Sequence, residues 1–240
     1  MNRFTDWNCG LLPDGLELLG NAKDAVSGLR ILSERTGFLR FCFLPVFDPQ
    51  EASLSEFLFR RDRAIRMLSD QLPENFRLIP SARMMLPPDG ILSNDPKWKK
   101  LCIPKTDYLP VTFFLWDSPV AIENRLAKLT RHSGFAILLP SAERILSVFP
   151  KDVSDRIFRL PGMVYQFSYS ALRDEKVLAI LNLLLNRKAP ILFGSSVSTP
   201  AQAARFDLEY DLELARAHFD RLSFETLFRF HPTIPKQNNL

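Results

Sequence analysis

An α/β barrel of parallel strands is the fold this sequence predicts. Three observations carry the prediction. Short apolar runs alternate with longer amphipathic stretches along the chain. The apolar runs lack strict polar–apolar alternation, as strands buried on both faces do. The 240 residues also suit an α/β barrel, which commonly runs about 200–250 residues as one unit. Residues 1–240 are therefore expected to form a single domain of about seven strand–helix units.

The elements follow in order. A first strand is expected ahead of the loop Asn8 to Pro13. Asn21 is placed to cap a helix carrying Ala22, Ala25, Val26, Leu29 and Leu32 on one face, ending near Gly37. Phe38 to Leu44 reads as a strand stopped by Pro45. Ser53 and Glu56 form a capping box, followed by Leu54, Phe57, Leu58, Ile65, Leu68 and Leu72 at helical spacing. Phe76 to Ile79 is a short strand, and 81–107, rich in proline, is a long connection with some extended structure. Tyr108 to Trp116 is a strand, and Ser118-Pro119 opens a helix with proline at its first position, where no N–H is missed. Phe135 to Leu139 is a strand, with a shorter helical region between Ser141 and Arg159. Met163 to Phe167 is a strand, after which Ser170 is expected to cap a helix bearing Val177, Ile180, Leu181 and Leu184. Pro190 to Gly194 is the last strand, and Thr199-Pro200 opens the C-terminal helices.

Composition narrows the function classes. At 46% hydrophobic and 24% charged, the chain has enough apolar surface to build a core. Thirty-one basic against 27 acidic residues give a net +4, spread along the sequence. Counterion-release binding wants a concentrated basic stripe, so nucleic acid is not favoured. Lys97, Lys99 and Lys100 around Trp98 read as a solvated loop. Cys9, Cys42 and Cys102 are odd in number and far apart, which reads as reduced thiols in a cytoplasmic protein. No apolar leader opens the sequence, and the apolar run at 108–116 is too short to cross a bilayer.

In a parallel barrel, function sits on the loops after the C-terminal strand ends. Those loops are Asn8 to Pro13, Pro45 to Gln50, Pro80 to Met85, Thr112 to Asp117, Leu139 to Arg144, Ser168 to Ser170 and Ser195 to Thr199. Their strand-end positions carry Asn8, Gly10, Val46, Arg83, Thr112, Leu139, Ser196 and Ser198, which are poor ligands for a hard cation or zinc. His132, His218 and His231 read as surface or helix-end residues. Cys9 reads as a buried small hydrophobe rather than a nucleophile, since no activating base is assigned. Ser195-Ser196-Val197-Ser198 has no His–Asp partner and reads as a loop or helix cap. Asp14-Gly15 reads as a turn.

The same loops carry a family pattern. The chain opens Asp6-Trp7-Asn8-Cys9-Gly10-Leu11-Leu12-Pro13-Asp14-Gly15 and continues with Leu44-Pro45-Val46, Ile79-Pro80-Ser81-Ala82-Arg83, Val111-Thr112-Phe113-Phe114 and Leu139-Pro140-Ser141-Ala142-Glu143-Arg144. It ends Ser195-Ser196-Val197-Ser198, with Arg205 beyond and Leu227-Phe228-Arg229-Phe230-His231-Pro232 near the C-terminus. This framework resembles the PHP-type protein tyrosine phosphatases of bacterial capsule and exopolysaccharide loci, the CpsB/YwqE-like group, over about residues 6 to 235. The resemblance implies a distorted seven-stranded barrel of the PHP type, and in that family manganese-dependent removal of phosphate from the tyrosine cluster of a cognate kinase. Against the family's Asp-x-His-x-His motif, the Asp and the Leu-Pro survive, while the histidine positions hold Asn8 and Gly10. Val46, Arg83, Thr112, Leu139, Ser196 and Ser198 stand at the later ligand positions.

The expectation is a catalytically inactive, PHP-like pseudophosphatase acting as a binding or regulatory protein, with no catalytic, metal or cofactor residues. Two or three Mn²⁺ ions need imidazoles and carboxylates to offset their charge, and Arg83 would place a cation among them. The resemblance implies a protein partner, either a tyrosine kinase or a polysaccharide-assembly protein. Arg83, Arg144 and Arg205 form a possible anion-binding set, because guanidinium groups bind phosphate well. Two alternatives stand beside this reading. One is an active phosphoesterase using Cys9 or the acids Asp14, Asp48 and Asp117, with manganese as cofactor. The other is a nucleic-acid-binding PHP-like barrel.

Overall fold

In a computed structural model of the protein, residues 5–12, 21–92, 95–114 and 116–228 are described. The strands are β1 (Thr5–Cys9), β2 (Arg40–Phe43), β3 (Val46–Phe47), β4 (Arg77–Pro80), β5 (Arg83–Met85), β6 (Tyr108–Thr112), β7 (Ala136–Leu139), β8 (Met163–Ser168) and β9 (Ile191–Gly194). The helices are α1 (Ala22–Thr36), α2 (Leu54–Ser69), α3 (Pro119–His132), α4 (Glu143–Val148), α5 (Lys151–Ile157), α6 (Glu175–Asn186), α7 (Pro200–Arg205), α8 (Leu208–His218) and α9 (Arg221–Phe228).

Every strand pair is parallel, in the orders β1-β2-β4 and β3-β5-β6-β7-β8-β9. The two sheets are two parts of one winding. β2 breaks at Leu44-Pro45 and resumes as β3, because Pro45 has no N–H to donate to a ladder. β4 breaks at Ser81-Ala82 and resumes as β5. Since β2 pairs with β4 and β3 with β5, the nine segments follow seven paths in chain order. The first path meets the last where the Gly10 N–H donates to the Val197 carbonyl (2.8 Å) and the Ser196 N–H to the Asn8 carbonyl (2.8 Å). Between β4 and β6 the segment after a 3₁₀ turn (Pro96–Leu101) fills the gap. There the Ala82 N–H and Ser81 hydroxyl reach the Leu101 carbonyl, and the Ile103 N–H reaches the Tyr108 carbonyl.

Local physics sets the helix ends. The Asn21 side chain accepts from the Asp24 N–H, and Gly37, at φ 73°, closes α1 in the left-handed conformation glycine tolerates. Ser53 accepts from the Glu56 N–H, and Thr199 from the Gln202 N–H. Pro119 and Pro200 occupy the first turns of α3 and α7. α1 buries Ala25, Val26, Leu29 and Leu32, the face read from the sequence.

Several expectations are corrected. Ser170 caps no long helix: it lies in a 3₁₀ turn (Tyr169–Arg173), and Asp174 caps α6 by accepting from the Lys176 N–H. The region 81–107 contains β5 and the Pro96–Leu101 turn as well as irregular chain. β6 ends at Thr112, four residues before the expected limit. The region 141–159 is two helices, α4 and α5, separated at Phe149-Pro150.

Two apolar clusters sit either side of the sheet. Trp7, Cys42, Leu44, Ile103, Leu138, Val164 and Leu192 form the smaller one, with Ile79, Tyr108 and Ala136 against it. Residues from β1, β2, β4, β6, β7, β8 and β9 touch in this cluster, so it lies inside the winding. The larger cluster lies between strands and helices and holds the buried phenylalanines. Phe38, Phe193 and Phe228 each pack on Tyr169, at 5.8, 5.5 and 6.4 Å between ring centroids.

Candidate functional site

Parallel strands bring their C-terminal ends to one side, and a connected polar network sits there above the inner cluster. Its centre is Asn8, next to the end of β1. The Asn8 Nδ2 donates to Gln166 Oε1 (2.9 Å) and shares its second proton between Ser141 Oγ (3.2 Å) and Ser196 Oγ (3.4 Å). Gln166, fully buried on β8, also accepts from the Ser141 N–H (2.9 Å) and donates to the Phe167 carbonyl (2.6 Å). Ser141 and Ser196 both adopt left-handed backbone, at φ 51° and 55°. That region is disfavoured for residues with a Cβ, and such strain concentrates at functional sites. Each of these strained serines reaches the same amide.

Beside Asn8, Asp6 is completely buried. Its Oδ1 accepts from the N–H groups of Ser195 (2.7 Å) and Asn8 (3.2 Å), and its Oδ2 from the Ser195 hydroxyl (2.5 Å). Burial pushes this carboxyl up from 3.8 to about 6, opposed by these hydrogen bonds and one from the Cys9 thiol. Ser195 therefore serves Asp6 and the Val197 N–H (3.1 Å), as a loop-organising residue. Gly194 is required here: a Cβ on it would lie 2.5 Å from the Asn8 nitrogen. Glu143, on the first turn of α4, accepts weakly from the Ser168 N–H (3.3 Å), and burial raises its carboxyl above the usual range.

The eight strand-end positions fall into distinct places. Asn8 and Ser196 meet in the network. Gly10 lies against Ser198, whose Cβ is 3.0 Å from where a Cβ on Gly10 would stand, and Ser198 donates to Gln202. Leu139 is buried, Val46 is largely exposed, and the Thr112 carbonyl accepts from the Leu86 N–H. The Arg83 Nε donates to the Leu44 carbonyl at 2.5 Å, across the break between β2 and β3. Arg144 on α4 and Arg205 at the end of α7 are both exposed.

The remaining candidates are placed as follows. Cys9 is buried, as are Cys42 and Cys102. His132 and His218 end α3 and α8, and His218 contacts Asn182. Lys97 pairs with Asp95 and Lys99 with Asp107, so acids offset the small basic cluster. Pro13, Asp14, Gly15 and His231 lie outside the described residues. Gln166 and Ser141 were not singled out by sequence reasoning. The available signal was a lone amide in the apolar run Met163 to Phe167, since a buried primary amide must find partners.

A second feature opens on the same side, beyond β3, β5 and β6. It is a groove of about 170 Å³ bounded by Asp48, Pro49, Pro87, Pro88, Phe113 and Phe114, with Asp117 and Arg125 paired at 2.6 Å along it. Asp48 and Asp117, two of the acids considered for an alternative hydrolase, thus share one groove.

No family model and no curated protein matches the chain. Among solved structures it is similar to those of YwqE from Bacillus subtilis and CpsB from Streptococcus pneumoniae, described as unique metal-dependent tyrosine phosphatases. The superposition covers 96% of both chains with a TM-score of 0.64, at 15% sequence identity. The fold is the CpsB/YwqE fold.

Those structures are described as metal-dependent, and the side chains that meet at this mouth among the described residues do not form a metal-ligand set. The centre of the mouth is an amide–amide pair with two hydroxyls, neutral groups that hydrogen-bond one another. Among the described residues, no three His, Cys, Asp or Glu side chains are grouped to hold a metal ion. Among the same residues, no helix is long and apolar enough to cross a membrane.

Proposed function

We propose that this chain is a binding or regulatory protein built on the CpsB/YwqE fold, holding a protein partner without hydrolysing a phosphate ester. The observation that carries this reading is the Asn8–Gln166–Ser141–Ser196 network at the strand ends. Metal-assisted hydrolysis needs a cluster of carboxylates and imidazoles around an open coordination position. Here an amide occupies the centre and its donors are directed inward. Fold likeness supplies the partner class by analogy alone: a tyrosine kinase, its tyrosine-rich segment, or a polysaccharide-assembly protein. Arg83, Arg144 and Arg205 are not needed for this reading.

The test is elemental analysis of protein purified from cells grown with added Mn²⁺, alongside turnover of a phosphotyrosine peptide. The expected result is far less than one equivalent of metal and no turnover. Two or three equivalents with turnover abolished by EDTA would overturn it.

The reading of an active phosphoesterase keeps one supporting observation, the shared groove of Asp48 and Asp117. Arg125 already neutralises Asp117, and Cys9 is buried away from any substrate. Turnover lost in Asp48→Asn but retained in Asn8→Ala would establish that reading instead.

A further inference from the structure

The groove beyond β3, β5 and β6 is separate from the Asn8 network, and its chemistry describes an occupant. We propose that it docks an extended, proline-rich peptide segment of a partner protein, carrying an arginine or lysine. The proposal does not rest on whether the barrel mouth binds metal.

The walls come first. Pro49, Pro87, Pro88 and Phe113 present apolar surface, and Phe114 stacks flat on Trp116 with ring centroids 4.5 Å apart and 13° between planes. Trp116 is 80% exposed and Phe114 40%. Two aromatic rings stacked on each other and left open to water form a rigid platform with little side-chain entropy left to lose on binding. The rim is also fixed. Gly90, at φ 70°, packs so tightly on α3 that a Cβ there would lie 2.6 Å from the Arg125 Cα, and its N–H donates to the Pro87 carbonyl.

Charge selects among occupants. Asp48 is half-buried at the groove, and its Oδ1 accepts from the Gln50 N–H at 2.8 Å. Among the described residues no cation lies within ion-pairing distance of it, whereas Asp117 beside it is paired with Arg125. The groove therefore keeps one net negative charge on a chain whose net charge is +4. An acidic or phosphorylated peptide is repelled. A guanidinium or ammonium is attracted, by Asp48 and by the open ring face.

Backbone chemistry selects the conformation. Three prolines in the wall have no N–H, so an incoming β-strand would find few donors to pair with. A polyproline II segment needs no backbone ladder, arrives preformed, and lays flat pyrrolidine rings on aromatic ones.

The experiment is selection from a phage-displayed library of random dodecapeptides on the immobilised full chain, with Trp116→Ala protein for counter-selection. Affinities of the enriched peptides are then measured by fluorescence anisotropy. Trp116 is an exposed residue and Asp48 a half-buried loop residue, and circular dichroism of both variants checks their folding. The expected result is enrichment of proline-rich peptides with at least one Arg or Lys. Their affinity should fall about tenfold or more in Trp116→Ala, and several-fold in Asp48→Asn with loss of salt dependence. The proposal is overturned by absence of enrichment over the Trp116→Ala control, by selection of acidic sequences, or by affinities that neither substitution changes.

Discussion

Replacing Asp6 by asparagine should remove one pH-dependent penalty on stability that grows across mildly acidic pH. Asp6 is buried between β1 and the loop after β9, with three hydrogen bonds from Ser195 and Asn8. Its folded-state value, about 6, lies above its ordinary 3.8 because desolvation outweighs those bonds. Below about pH 4 the carboxyl is protonated whether the chain is folded or not, and nothing is lost. Between about 4 and 6 the folded chain holds the extra proton, so stability falls as pH rises. Above 6 the full cost applies, about 3 kcal/mol at 1.36 kcal/mol per pH unit. The amide of the Asp6→Asn variant cannot ionise. Its weaker match to the Ser195 hydroxyl is a constant offset, and Glu143 titrates equally in both proteins. Cys42 and Tyr169, whose acidity Asp6 affects, are themselves pushed up and stay neutral in this window. Urea unfolding at pH 4, 5, 6 and 7.5 gives the difference directly. The variant should gain about 2.5 kcal/mol relative to the parent from the lowest to the highest pH, since part of the cost already applies at pH 4. A difference that stays flat, or runs the other way, would refute the desolvation argument.

Three further outcomes are expected. Gln166→Ala leaves the Asn8 amide and the Ser141 N–H without their shared acceptor, and should destabilise the fold by about 2–3 kcal/mol in urea unfolding. Gly194→Ala forces a methyl against the Asn8 backbone and should cost about 1–3 kcal/mol, seen as a lower Tm. The three thiols are buried, with Cys42 pushed up and Cys102 raised to about 12, so a thiol reagent at pH 8 should label them slowly until denaturant is added.

What the sequence revealed follows from the range of the forces involved. Asn21, Ser53, Pro119 and Thr199 mark helix starts through contacts within four residues, and each is seen in place. The strands of the second to seventh paths were readable because buried parallel strands are largely apolar, whereas Thr5–Cys9, with Thr5, Asp6 and Asn8, carries no such run. β3 and β5, two and three residues long, are too short to leave a pattern, and only their pairing with each other and with β6 shows them. Ser170 and Asp174 are both good capping residues, and nothing local chooses between them. At the mouth, Asn8 and Ser196 were visible as strand-end residues. Gln166 was hidden because its partners stand 25 and 158 residues away. Arg83 was legible as a cation at a strand end, but its hold on the Leu44 carbonyl depends on a strand break that only the fold displays.

The mouth of the barrel is also its clasp. Asp6 stands 189 residues from Ser195 and Asn8 stands 188 from Ser196, so these few polar contacts join the two ends of the winding. Bringing such distant segments together carries a loop-closure cost that local helices never face. A ligand held by Asn8 or Ser196 in the folded chain would bridge this seam, and by linkage its binding energy would add to the stability of the whole ring. A thermal-shift screen of this protein should accordingly register a ligand of the mouth and one in the groove beside Trp116 alike, each in proportion to its affinity.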